Sequence, residues 1–217
     1  MVDLHVGPTK KLFRVHKTLL CKKIPYFKKM FNGKFKESSE GVGTFPEDTE
    51  ESFDILIKWV YLGTLRSLTF SKNSRGNWME NPNLLSIYAL ADKLCLPELM
   101  DNLTNSYIEG SIKHNFFPNC SYIDIIWAKT RDGVSLRKYV VHACHWFTSG
   151  QARTEDNLKL WPTSSLRELF VKHPSLLTAY LDLVRNTPIG QAPKDPRTMP
   201  RCVFHEHGEN EECSLKT

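Results

Sequence analysis

The amino-acid sequence predicts an α+β fold in which two or three short strands, with helices among them, precede a C-terminal half made only of helices. Strand-like runs are confined to the first 46 residues, and apolar residues recur at helical spacing from Phe53 onwards. Apolar residues make up 41% of the chain and charged residues 24%, as in ordinary globular proteins, which argues against general disorder.

The first strands form a predicted hairpin. Residues 4–6 and 12–15 are short strand-like runs joined by the turn-rich segment 7–11, which has the length of a hairpin connection. Thr44 and Phe45 are just long enough for a third strand. Two short helices are expected between the hairpin and the third strand. One runs through 19–21, and the other begins at Pro25, because proline is favoured in the first turn of a helix.

A strongly amphipathic helix follows the third strand. Asp48 is the expected N-cap, with Glu51 three residues later in a reciprocal capping arrangement. We expect this helix to be central to the core because apolar side chains recur along it at helical spacing: Phe53, Leu56, Ile57, Val60 and Tyr61.

The remaining chain is predicted to be helical as far as Asn186. A polar, turn-rich segment at 71–81 is expected to be a surface loop that interrupts the domain without ending it. Helical patterns begin after Asn81 and at Pro97, cover 122–128, 136–147 and 166–170, and resume at Pro174. Beyond Asn186 the periodicity is lost, which predicts an irregular tail, 187–217, without an apolar core of its own.

Composition favours a soluble intracellular protein of the cytoplasm or nucleus. Apolar stretches fall well short of the roughly 18 residues that span a bilayer, and lysines occur throughout the first thirty residues in place of a secretory apolar region. Six cysteines are too few for a disulfide scaffold. Gly-rich phosphate loops, nucleophile elbows and helical His-Glu metal motifs do not occur, so we expect no catalysis.

Charge is distributed unevenly. Residues 1–36 hold ten Lys and Arg against Asp3 alone, whereas 37–54 hold seven Asp and Glu and no base. A basic N-terminal face could bind nucleic acid, but a solvated helical face is favoured.

Several segments, in order, resemble the BTB/POZ family. They are residues 13–20, 25–31, 35–38, 45–48 and 59–63, together with Phe53. The resemblance covers residues 4–108 and implies a BTB/POZ domain at 1–108. Residues 109–186 resemble the helical extension of many fungal members. Such domains associate with proteins: they dimerise with another BTB protein, join transcriptional or scaffolding complexes, or dock on a cullin as substrate adaptors of a ubiquitin ligase.

Phe35 and Glu37 match the hydrophobic-x-acidic motif of cullin-binding BTB adaptors. An apolar anchor with a rim of one charge sign is typical of a steered, specific contact. The resemblance therefore implies that these two residues bind a partner.

The sequence starts at Met1 within what corresponds to the family's first strand, without the helix that the family places before it. We expect a monomer or a different dimer, unless the start is incompletely represented.

The tail holds four candidate metal ligands, Cys202, His205, His207 and Cys213. Two thiols and two imidazoles are a donor set for tetrahedral zinc, and metal binding could order a segment that has no core. A solvated tail without cofactor is the alternative, because the spacing is not that of a common zinc finger. A second histidine pair, His142 and His145, could share one helix face, but a structural role is favoured there.

Overall fold

A computed structural model of the chain describes residues 1–65, 71–72, 78–79, 82–150, 155–207 and 211–213. The chain divides into two compact units, whose boundary falls between Leu103 and Thr104. The first unit comprises Met1–Thr69 and Asn81–Leu103; the second comprises Phe70–Glu80 and Thr104–Thr217.

The first unit contains a three-stranded sheet of order β2–β1–β3, formed by β1 (Val2–Val6), β2 (Lys11–Val15) and β3 (Val42–Phe45). Strands β1 and β2 form the predicted antiparallel hairpin, and β3 pairs with β1 in parallel. Gly43 lies inside β3, where a Cβ atom would meet Leu4 and Met30 at 3.3–3.4 Å. The third strand also includes Val42 and Gly43 and is therefore longer than the predicted Thr44 and Phe45.

Among the described residues of the first unit, five helices lie wholly within it, and a sixth begins there and continues past its boundary. They are α1 (Lys17–Lys23), α2 (Pro25–Asn32), α3 (Lys36–Glu40), α4 (Glu50–Leu62), α5 (Pro82–Lys93) and α6 (Pro97–Lys113). The N-cap of α4 is Thr49, whose side chain accepts a hydrogen bond from the Ser52 amide, so the prediction of Asp48 as the cap was wrong. Asp48 instead forms an ion pair with Lys93 at 2.7 Å.

A cluster of phenylalanine rings lies in the core of the first unit. Phe27 stacks on Phe31, and Phe45 lies between Phe27 and Phe53, at ring-centroid distances of 5.7 and 4.9 Å. Tyr61, although it continues the apolar periodicity of α4, is 43% exposed, and its hydroxyl contacts the backbone amide and ring Nδ1 of His16.

Among the described residues of the second unit, the regular secondary structure is helical apart from one short hairpin. Strands β4 (Ser71–Lys72) and β5 (Trp78–Met79) pair antiparallel. They fall within the segment predicted as a surface loop, most of which lies outside the described residues. The further helices are α7 (Cys120–Lys129), α8 (Ser135–Thr148), α9 (Glu155–Leu160), α10 (Thr163–Lys172) and α11 (Pro174–Asn186). The all-helical C-terminal half is confirmed, and α9 was not predicted.

Helix α8 lies at the centre of the second unit. Tyr139, Val140 and Cys144 on α8 are fully buried. The Tyr139 ring packs edge-on against Tyr107 of α6, and burial raises the pKa of the Tyr139 hydroxyl to about 12.

The tail is more ordered than its sequence suggests. It forms 3-10 helices at Pro196–Thr198 and Arg201–Phe204, and the Phe204 side chain is fully buried. A lone aromatic residue outside any periodic pattern gives no signal of burial in the sequence.

In the part of the chain that the structure describes, no helix combines the length and apolarity needed to cross a membrane.

Candidate metal centre and partner-binding residues

Phe35 lies in the short connection between α2 and α3, where it is the N-cap residue of α3. Its side chain is 61% exposed. The ring lies over Gly33, where a Cβ atom would be 2.5 Å from the Lys29 carbonyl oxygen and 3.0 Å from the ring. Glycine at position 33 is thus needed for this placement, and the aromatic face remains open to solvent.

Glu37 follows in the first turn of α3 and is half-buried. Helix α3 ends at Gly41, which has a positive φ of 67° and whose amide donates to the Glu37 carbonyl at 2.9 Å. The Ser38 hydroxyl fixes the same segment by donating to the Phe31 carbonyl at 2.9 Å. The fold therefore holds Phe35 and Glu37 two residues apart on one well-anchored connection.

Lysines of the basic N-terminal segment line a cleft at α1 and α2. The cleft has a volume of about 640 Å³, and Lys17, Lys22 and Lys28 contribute to its walls. The Lys17 ammonium donates to the Phe31 carbonyl at 2.8 Å, so part of this positive charge has a structural role.

The four tail residues predicted as metal ligands lie together. One ligand atom of each of Cys202, His205, His207 and Cys213 lies within 4.8 Å of the others. Cys202 Sγ is 2.9 Å from His207 Nε2, and His205 Nδ1 is 3.0 Å from Cys213 Sγ. This cluster is compatible with a bound metal ion, and it is the one such group of three or more potential ligands among the described residues.

His205 is held in the orientation and tautomer that a ligand requires. Its side chain is buried, and its Nε2 is 3.0 Å from the Oδ1 atom of Asn105 on α6. Because an amide oxygen can only accept, Nε2 must carry the proton, and Nδ1 presents its lone pair towards Cys213. Burial also lowers the pKa of His205, which favours the neutral imidazole.

The residues next to His205 attach the cluster to α8. Phe204 packs edge-on against Tyr139 and His142, with centroid distances of 5.4 and 5.5 Å. The Glu206 carboxylate accepts hydrogen bonds from the Ser135 amide at 2.6 Å and the Ser135 hydroxyl at 2.8 Å.

Sequence reasoning identified the four potential ligands but missed Asn105, Phe204 and Glu206. Asn105 is 100 residues away from His205 in the chain, so nothing in a single sequence connects them.

His142 and His145, the alternative pair on α8, are not part of the cluster. Burial lowers the pKa of both imidazoles, and the His142 ring serves as a packing partner of Phe204.

Comparison with known proteins connects the first part of the chain with one family. A family model described as the BTB/POZ domain matches residues 1–111. The human Kelch repeat and BTB domain-containing protein 7 is 31% identical over 91 residues, which are 42% of this chain and 12% of that protein. The chain thus corresponds to a small part of that relative's length. The match agrees with the three-stranded sheet and its surrounding helices, and the chain belongs to the BTB/POZ domain family.

Proposed function

We propose that this chain is a non-catalytic protein-interaction module that docks on a cullin scaffold as a substrate adaptor of a ubiquitin ligase. Its membership of the BTB/POZ family supports the broader class, because domains of this family associate with other proteins. The narrower role rests on Phe35 and Glu37, which match the motif of cullin-binding members.

The exposure of Phe35 is the observation that carries the proposal. An aromatic ring that is 61% exposed while the surrounding backbone is held by hydrogen bonds is preorganised to enter a partner's pocket. Burial of such a ring supplies binding free energy, and the nearby Glu37 supplies a negative charge, whereas Glu40 is paired with Lys36 at 3.4 Å.

Calorimetric titration with the purified N-terminal domain of a cullin tests this role. Phe35→Ala should raise the dissociation constant by about 30-fold or more, as expected when a central aromatic anchor is truncated. Glu37→Gln should have a smaller effect that shrinks further at high salt, since a rim charge mainly steers association. The matched control, Lys34→Ala, changes an exposed neighbour and should alter binding by less than about twofold.

Equal binding by the Phe35→Ala and Lys34→Ala proteins would show that the motif match is accidental. A transcriptional or scaffolding partner, including another BTB protein, would then be the better candidate. A nucleic-acid role for the basic face is less favoured, and it would require binding that weakens steeply with salt.

The second part of the proposed function is a structural zinc ion in the tail, held by Cys202, His205, His207 and Cys213. Tetrahedral zinc, with Zn–S of about 2.3 Å and Zn–N of about 2.0–2.1 Å, separates neighbouring ligand atoms by about 3.3–3.8 Å. The two sulfur–nitrogen contacts, at 2.9 and 3.0 Å, are shorter than this range and the upper limit of 4.8 Å in the cluster is longer, so the range lies between them. Four protein ligands would leave no open position, which is typical of a structural site.

Elemental analysis tests the metal directly. The purified protein should carry about one zinc per chain, and Cys213→Ser should lose most of it because a four-ligand shell would be broken. Cys95→Ser is the control, since Cys95 is an exposed thiol that lies outside the cluster. Protein prepared with zinc and without chelators that contains no metal would refute the site, and metal that persists in Cys213→Ser would point to other ligands.

A further inference from the structure

We infer that the metal in the tail acts as a clasp on helix α8: it positions Glu206 to cap the N-terminus of this helix, and Asn105 is the residue that orients the ligand His205. This inference rests on the proposed zinc site and adds what the ion does there.

Helix α8 lacks a cap of its own. Its N-cap is Val134, which has no side chain that could accept a hydrogen bond, and its first turn contains no acidic residue. The first amides of a helix have no partner within the helix, and its N-terminus favours negative charge. The central helix of the second unit therefore depends on another part of the chain at this end.

Glu206 supplies what α8 lacks. Its Oε1 atom accepts from both the amide and the hydroxyl of Ser135, at 2.6 and 2.8 Å, and Ser135 is the first residue of α8. Hydrogen bonds to a carboxylate are stronger than those between neutral groups. The tail thereby completes the helix from 71 residues away in the sequence.

The ligands lie immediately on either side of Glu206. His205 and His207 are its two neighbours in the chain, so a metal that binds both imidazoles restricts the backbone from which the Glu206 carboxylate extends. Phe204, on the other side of His205, is fully buried against Tyr139 and His142. Metal binding and the contacts of 204–206 with α8 thus fix the same few backbone torsions.

Asn105 connects the ligand His205 to helix α6. By accepting from His205 Nε2 it fixes the proton on that nitrogen and turns Nδ1 towards Cys213. A hydrogen-bond acceptor behind a ligating histidine raises its basicity and holds its ring. Reciprocity then follows: whatever strengthens the contacts of the tail with the helices strengthens metal binding, and the metal stabilises those contacts in return.

Competition between the full chain and a chromophoric chelator for Zn²⁺ measures the coupling. Asn105→Ala should lower zinc affinity by about 10- to 100-fold. Asn105→Asp, which keeps an oxygen acceptor at this position, should retain most of it, whereas Asn105→Leu, which keeps the side-chain size but accepts no hydrogen bond, should lose affinity as Asn105→Ala does. A mere packing role would not separate Asp from Leu at this position. Glu206→Gln should cost about fivefold or more. The matched controls, Asn186→Ala and Glu155→Gln, change exposed residues away from the cluster and should differ from wild type by less than about twofold.

Hydrogen exchange on the unaltered protein gives an independent test that needs no variant to fold. Zinc should slow exchange of the Ser135 amide by about fivefold or more. By reciprocity this factor is similar to the loss of zinc affinity expected for Glu206→Gln. The Tyr122 amide is the internal control, because Asn119 caps it from the start of its own helix at 2.8 Å.

These experiments distinguish the absence of a zinc site from a zinc site that has no effect on helix α8. A protein that binds no zinc removes both the site and the clasp. A protein that binds one zinc per chain, with equal affinity in the wild type and in Asn105→Ala and with no change in Ser135 exchange, keeps the site and overturns the clasp.

Discussion

Arg137 shows at the scale of a single residue how the second unit uses buried charge. It lies on α8, its side chain is almost fully buried, and its guanidinium lies 4.7 Å from the Trp127 ring. The same group donates to the carbonyl oxygens of Trp127 and Thr130 and to the Thr130 hydroxyl. Thr130 is the C-cap of α7, so Arg137 satisfies carbonyl groups that the end of a helix leaves without partners.

We predict that Arg137→Ala lowers the free energy of unfolding of the second unit by about 2–3 kcal/mol, because buried carbonyl groups lose a charged donor. Urea denaturation followed by circular dichroism measures the change. Arg137→Lys should recover only part of the loss, since a single ammonium cannot reproduce the planar fork of donors.

Lys138→Ala is the control for this prediction. Lys138 is the exposed neighbour of Arg137, and its removal should change stability by no more than about 0.5 kcal/mol. If both alanine variants were as stable as wild type, the buried guanidinium would not hold α7 and α8 together as described.

At the scale of elements, the sequence predicted those helices and strands that apolar periodicity and turn residues determine. The hairpin, the start of α2 at Pro25 and the helical second half are confirmed because turn residues and apolar spacing determine them locally. Asp48 was chosen as the cap of α4 in place of Thr49 because both residue types cap helices and only the backbone decides between neighbours. Helix α9 is too short, at six residues, to show a period.

Some residues of the candidate metal site could likewise be predicted from the sequence, and others could not. Its four potential ligands could be identified from composition and spacing, since Cys and His within twelve residues have few other shared uses. Asn105 and Glu206 could not, because their roles depend on contacts with residues 100 and 71 positions away. The environment of Phe35 is intermediate: its motif is visible in the sequence, but its exposure and its placement over Gly33 depend on the folded chain.

For the molecule as a whole, each unit has its own core and its own part in the proposed function. The first unit contains the sheet, most of the segment matched by the family model, and the exposed Phe35 with Glu37 beside it. The second unit contains the metal cluster and the helix that the tail caps. Docking and metal binding are therefore assigned to separate sets of residues and can be tested separately.

Docking on a cullin is the central claim, and complex formation in solution tests it most directly. The purified chain is mixed with an equimolar amount of a cullin N-terminal domain and analysed by size-exclusion chromatography with light scattering. We predict one species whose mass is that of the cullin domain plus 25.1 kDa for each bound chain. Two separate species, with the chain eluting as it does alone, would contradict the claim and leave the exposed Phe35 without the partner proposed for it.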